Sequence, residues 1–199
     1  YRMKKISATR HKLLSSAQSL ILRRGFTAMT LEALCISAEV TKGSFFHHFS
    51  SKEALGEAVL IHFWDEVQIR QNNADYQSIV DPLAKILGYI DHTIETYSDP
   101  VIRSGCLLAM YVLELKETNP LIYEQTVKNI RLWRNGIYSM LEVVSDFYQP
   151  VQDFDALAWA DFYISTLEGA LILAQSLDDL TVIDRSLSLY KRQLTACFS

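Results

Sequence analysis

Apolar residues recur at helical spacing along nearly the whole chain. Leu13, Leu14, Ala17, Leu20 and Ile21 follow the i, i+3, i+4, i+7 pattern of an amphipathic helix. Arg23 and Arg24 suit the negative end of its dipole and Gly25 supplies a left-handed stop, so a first helix runs from about Thr9 to Arg24. Thr30 can cap a short second helix that carries Leu31, Leu34, Cys35 and Ala38 at helical spacing. After a tight break at Glu39-Val40, Thr41 caps a third helix in which Phe45 and Phe49 share a face. Lys42, Ser44, Phe46 and His47 point elsewhere. Ser50-Ser51-Lys52-Glu53 reads as a capping box with Ser50 as the cap, opening a longer helix with Leu55, Val59 and Phe63 on one stripe. Two short helices joined by a tight turn and braced by a longer one match the helix-turn-helix unit.

The remaining punctuation is equally local. Asp81-Pro82 opens a helix to about Ser98, and Asp99-Pro100 breaks the chain. A helix from about Arg103 to Glu117 follows, then Asn119-Pro120 starts a long one to about Tyr148 that Pro150 ends. Asp153 or Asp155 begins an unusually apolar helix to about Leu177, and the last spans roughly Thr181–Phe198. The expectation is an all-α fold of about nine helices. A three-helix head occupies residues 1–50 and a larger helical body residues 51–199, the helix from 51 to about 71 linking them.

Composition narrows the class. With 199 residues and only 7 Gly and 4 Pro, the chain is neither low-complexity nor a turn-rich sandwich. The apolar runs around Gly105–Leu113 and Gly169–Ala174 are shorter than the roughly 20 residues a membrane helix requires. No charged-then-apolar leader pattern opens the sequence, and the three cysteines, Cys35, Cys106 and Cys197, fall in no metal spacing, so the expected setting is cytoplasmic. The net charge of −4 conceals an asymmetry: the first 56 residues hold nine basic and three acidic residues, a balance of +6, and the rest balance at −10. A basic head on an acidic body suits a polyanion partner for the head alone, although charge by itself does not decide between that and a matter of solubility.

A helix that reads DNA presents small or polar side chains to base edges with cations and hydroxyls nearby for phosphates. Thr41-Lys42-Gly43-Ser44-Phe45-Phe46-His47-His48 offers that mixture. Lys42 can approach guanine acceptors or a phosphate, Gly43 and Ser44 allow close approach, Phe46 can pack on a thymine methyl or a sugar, and His47 can donate to a phosphate. Lys52 and the first N–H groups of its helix form a phosphate site. His47 and His48 diverge by about 100 degrees on a helix, so no metal is expected, and no cofactor motif is present. G-x-G-x-x-G, P-loop and G-x-S-x-G patterns are missing and Asp161 and Glu168 stand isolated, which argues against an enzyme. A helical interaction module is the other alternative.

The stretch Arg24-Gly25-Phe26, Thr30-Leu31 and Ala38 through Leu55 (AEVTKGSFFHHFSSKEAL) resembles the TetR family of bacterial transcriptional regulators. The resemblance implies a homodimeric repressor on a palindromic operator, with Thr30, Lys42, Gly43, Ser44, Phe46, His47 and Lys52 contacting DNA beside the capping Thr41. Two positions depart from the family pattern: Glu39 stands where Gly is usual in the turn, and Phe46 where Tyr is usual. The apolar helix ending at Leu177, with Leu167 and Leu171, and the final stripe of Ile183, Leu187, Tyr190 and Leu194 are the expected four-helix dimer interface. A ligand cavity among the middle helices is implied, with Tyr89, His92, Cys106, Met110, Tyr111, Trp133, Trp159 and Tyr163 as candidate lining. Arg103-Ser104-Gly105-Cys106 places a thiol in the first turn of a helix, where the dipole and Arg103 favour thiolate. Gly105-Cys106-Leu107 also resembles an electrophile- and oxidant-responsive subgroup in which Cys106 would be the nucleophile; the alternative is a small buried apolar residue.

Overall fold

The computed structural model describes residues 7–99, 102 and 105–198, which form helices and connecting turns without a strand. The helices are α1 (Ala8–Arg24), α2 (Leu31–Ala38), α3 (Lys42–His48), α4 (Lys52–Asn72), α5 (Pro82–Ser98), α6 (Leu107–Leu115), α7 (Pro120–Tyr148), α8 (Ala156–Leu177) and α9 (Thr181–Ala196). Local chemistry sets most ends. Ser7, Thr30, Thr41, Asp81 and Asp155 each accept a backbone N–H from the first turn that follows. Gly25, at φ 83°, closes α1 by donating its N–H to the Ile21 carbonyl at 2.8 Å.

Three local expectations change. The cap of α4 is Ser51, whose Oγ accepts the Ala54 N–H at 3.1 Å, so Glu53 sits one position earlier than a capping box from Ser51 requires. The helix after Asp99 begins later than Arg103: Gly105 has φ 126° and Cys106 is the extended N-cap of α6, so the thiol precedes the first turn. Arg103, the expected partner of that thiol, lies outside the described residues. A 3-10 turn at Asp75–Ser78, unforeseen from the pattern, buries Tyr76.

The chain packs as two compact units, residues 1–68 with 106–127 and residues 69–105 with 128–199. In the first, Leu13, Leu14, Ile21, Phe26, Leu34, Phe45 and Leu55 form a core that Tyr111, Leu115 and Ile122 complete. The Tyr111 hydroxyl donates to the Gly56 carbonyl at 3.1 Å and its ring meets Phe26 edge-on at 5.7 Å. A Cβ on Gly56 would lie 2.6 Å from the Phe26 ring and 3.1 Å from Ile122 Cδ1, so glycine is what lets these groups close on α4. The expected break at residue 50 and this packing are therefore different cuts through the chain.

In the second unit α9 packs along α8 and against α5. Leu167, Leu171, Ile183, Leu187, Tyr190 and Leu194, expected at a dimer interface, are the seam between α8 and α9 within one chain, none more than 3% exposed. A helix that is apolar all round does not reveal from its sequence which side its own chain covers. The uncovered side carries Phe162, Gly169, Ile172, Leu173 and Leu177. By length and composition alone α8 could also cross a membrane; its Asp161 pairs with Arg134 of α7.

Candidate nucleic-acid interface

α3 divides its side chains cleanly. Thr41 Oγ1 accepts the Ser44 N–H at 3.1 Å and fixes the start of the helix. Phe45 and Phe49 are buried with ring centroids 5.8 Å apart, and the Arg10 guanidinium lies 4.9 Å over the Phe49 ring. Turned outward are Lys42, Gly43, Phe46 and His47, with Ser44 half-buried between them. Phe46 is 55% exposed, its ring edge-on to Phe45 at 5.1 Å. A Cβ on Gly43 would meet only Thr41 Oγ1, at 3.8 Å. The fold thus has no need of glycine there, although glycine costs a helix about 1 kcal/mol relative to alanine. Its use belongs to whatever approaches from outside.

The turn before α3 keeps the geometry that glycine would give. Glu39 adopts the left-handed conformation, φ 54° and ψ 45°, while the Val40 N–H reaches the Cys35 carbonyl at 3.0 Å. The Glu39 carboxylate lies 3.8 Å from Lys12 Nζ. The departure from the family pattern at this position is absorbed as backbone strain, with the turn intact.

Two helix starts flank α3. Thr30 Oγ1 accepts the Ala33 N–H at 3.1 Å at the start of α2, and Ser51 and Lys52 open α4. Lys52 is half-buried: its Nζ donates to the Thr27 carbonyl at 3.0 Å and sits 4.8 Å over the Phe26 ring. Burial lowers its pKa below the usual lysine value, against the opposing pull of Glu53 and Glu114. All eight expected DNA residues lie in the first unit, six on and around α3 and one at each flanking helix start. Glu114, which had no part in the sequence reading, accepts the Thr27 N–H at 2.9 Å. The one local sign of it is Gly25, where a side chain would collide with Glu114 Oε1.

The candidate effector residues separate. Cys106, Met110 and Tyr111 belong to the first unit, the other five to the second. Trp133 Nε1 donates to the Tyr89 hydroxyl at 2.9 Å, Tyr163 to Thr93 Oγ1 at 2.8 Å, and Thr93 to the Tyr89 carbonyl at 3.0 Å. Tyr190 donates to the Trp159 carbonyl at 2.9 Å. Burial pushes the Tyr89 and Tyr163 phenols above their ordinary range, so these hydroxyls stay protonated donors. Such mutual satisfaction makes a packed aromatic core. Of the expected set, His92 lines an open groove of about 510 Å³, with Tyr76, Asp75, Asp91, Glu95 and Asp184 around it. Its Nε2 is buried without a hydrogen-bond partner among the described residues, and desolvation lowers the imidazole pKa. Cys106 is 7% exposed. No group of three potential metal ligands comes together among the described residues.

A short capped helix with outward cation, hydroxyl and aromatic groups, braced between α2 and α4, defines a helix-turn-helix protein of wholly helical build. Residues 13–59 match the N-terminal domain of the bacterial regulatory proteins of the tetR family, and residues 82–190 match the tetracyclin repressor-like C-terminal domain. The chain belongs to the TetR family and is a helix-turn-helix transcriptional regulator. It is 26% identical to the HTH-type transcriptional repressor DhaR of Mycobacterium sp. strain GP1, over 82% of this chain and 80% of that one. It is 38% identical to the HTH-type transcriptional repressor NemR of Escherichia coli K12, over 55% of this chain and 56% of NemR. The crystal structure of the reduced form of E. coli NemR superposes with a TM-score of 0.74 at 28% identity, covering 94% of this chain and 97% of NemR. A TetR regulator from Chloroflexus aurantiacus shares the fold with a TM-score of 0.84 at 23% identity, over 97% of each chain.

Proposed function

We propose that this regulator is a cytoplasmic homodimeric repressor that places α3 in successive major grooves of a palindromic operator and lets go when an effector acts on it. The α3 surface carries this reading. Lys42 and Ser44 supply donors for base edges or phosphates, Phe46 an apolar contact for a thymine methyl, and Gly43 the clearance for close approach. Thr30, Thr41, His47 and Lys52, with the exposed starts of α2 and α4, hold the backbone on either side. One such helix makes too few contacts for tight binding, so two copies must act together. Their meeting surface is the uncovered face of α8, where Phe162 and Ile172 are exposed and nothing lies within 4 Å of a Cβ built on Gly169, leaving room for a second helix to come close. The test is binding to inverted-repeat duplexes selected from a random pool. Affinity should fall steeply between about 50 and 200 mM salt, and a chain that treats repeat and random duplex alike would end the reading.

Release has two candidate routes. The groove at His92 and Tyr76, rimmed by carboxylates, suits a small molecule with N–H donors. The second route is Cys106, the extended residue that precedes the first turn of α6, whose sulfur could attack an electrophile or be oxidised. The likeness to NemR, whose structure is described by its redox form, favours the second. Cys106→Ser should keep operator binding and lose at least about tenfold of the release produced by an electrophile such as a quinone or by hypochlorite, a coupling in the ordinary allosteric range. A variant that releases normally excludes the thiol route.

A further inference from the structure

The Thr27 backbone is held by opposite charges at both ends. Its N–H donates to Glu114 Oε2 at 2.9 Å, across 87 residues of sequence, and its carbonyl accepts from Lys52 Nζ at 3.0 Å. The two side chains come from α6 and α4, and all three residues belong to the first compact unit. The Lys52 ammonium is confined further by the Phe26 ring beneath it at 4.8 Å. Gly25 clears the way: a side chain there would run into the Glu114 carboxylate, and its φ of 83° admits little but glycine. The clamped turn leads directly into Thr30, the cap of α2. Polarisation along a chain of carboxylate, peptide and ammonium strengthens each bond of it.

We infer that Glu114 is a positioning residue for DNA binding: by holding Thr27 it sets the place of the Lys52 ammonium and of the α2 start against the phosphate backbone. The inference rests on the operator-binding reading above and adds to it a residue of α6 that touches no DNA. Glutamine at this position can still accept the Thr27 N–H through its amide oxygen, whereas alanine cannot. The carboxylate also has an electrostatic effect opposite in sign, since negative charge near phosphate weakens binding of any duplex. The two effects are separable, because charge removal acts in both variants and loss of the hydrogen bond only in one.

The experiment measures binding of the full chain to a duplex selected by the wild-type protein and to a random duplex, for Glu114→Gln, Glu114→Ala, Lys52→Ala and the double variant Glu114→Ala/Lys52→Ala. Glu114→Gln should hold selected-duplex affinity within about twofold of wild type or tighten it, and Glu114→Ala should weaken it roughly tenfold, as expected for one lost charge-assisted hydrogen bond. In the Lys52→Ala background the same alanine substitution should cost less than about threefold, because its effect passes through the missing lysine. Hydrogen exchange at the Thr27 amide should speed up in the alanine variant and not in the glutamine variant. Alanine binding as tightly as wild type, an equal loss with and without Lys52, or unchanged Thr27 exchange would each overturn the inference while leaving operator binding in place. A wild-type chain that ignores every duplex would overturn both.

Discussion

α3 and α8 both leave apolar side chains uncovered, yet their surroundings give those side chains opposite meanings. On α3 a single phenylalanine, Phe46, stands among Lys42, Ser44 and His47, so the exposed ring is one contact in a polar, cationic surface. On α8 the exposed Phe162, Ile172, Leu173 and Leu177 flank Ser165 and Gly169, with no cation on that face. On the function proposed above, the first surface meets the charged, hydrated grooves of a duplex and the second meets another helix. What decides between nucleic acid and protein is the chemistry around the exposed ring, rather than the exposure itself.

The largest effect that would break this comparison comes from α8. Ile172 is 63% exposed, so Ile172→Glu should leave the fold intact, yet separate the protomers in sedimentation and weaken selected-duplex binding by about a hundredfold or more through loss of bivalency. Unchanged sedimentation would move the meeting surface off α8. On α3, Lys42→Ala should cost about tenfold on a selected duplex and clearly less on a random one, the signature of a base-edge contact in competitive titration. Equal losses would confine Lys42 to phosphate. Smaller still is Glu39→Gly in the turn before α3. Relieving a left-handed glutamate should raise stability by about 0.5–1 kcal/mol in urea titration with the slope unchanged.

The smallest effect lies in the second unit, at His92. Desolvation holds its imidazole below the ordinary value of 6.5, against the pull of Glu95 and Asp75, with Arg70 adding to the depression. Below pH 6.5 the unfolded chain therefore takes up the proton before the folded one does. This contribution to stability is complete above pH 6.5 and is lost as pH falls through the folded value. Thermal midpoints between about pH 5 and 8 should decline more steeply for wild type than for His92→Gln. Parallel curves would mean that the imidazole is protonated equally in both states.

Local signals were legible in the sequence and long-range ones were not. Thr30, Thr41, Asp81-Pro82 and Asn119-Pro120 mark helix starts because a cap acts within three residues. The choice between adjacent Ser50 and Ser51 turns on which hydroxyl meets the Ala54 N–H, and the start of α6 on the positive φ of Gly105, neither of which a hydrophobic pattern encodes. The outward set on α3 is readable because Phe45 and Phe49 alone must be buried in so short a helix. On α8 nearly every position is apolar, so Leu167 and Leu171 were indistinguishable from Phe162 and Ile172 until α9 was placed. Glu114 acts across 87 residues and leaves only Gly25 as a trace.

The membership of residues 106–127 in the same compact unit as the first 68 residues has a practical corollary for protein engineering. A chimaera that swaps reading heads between relatives at residue 60 would carry Phe26 and Gly56 away from the Tyr111 and Ile122 they are shaped to fit. The transplant that keeps its stability takes both pieces, the amino-terminal stretch and the short insert that closes over it.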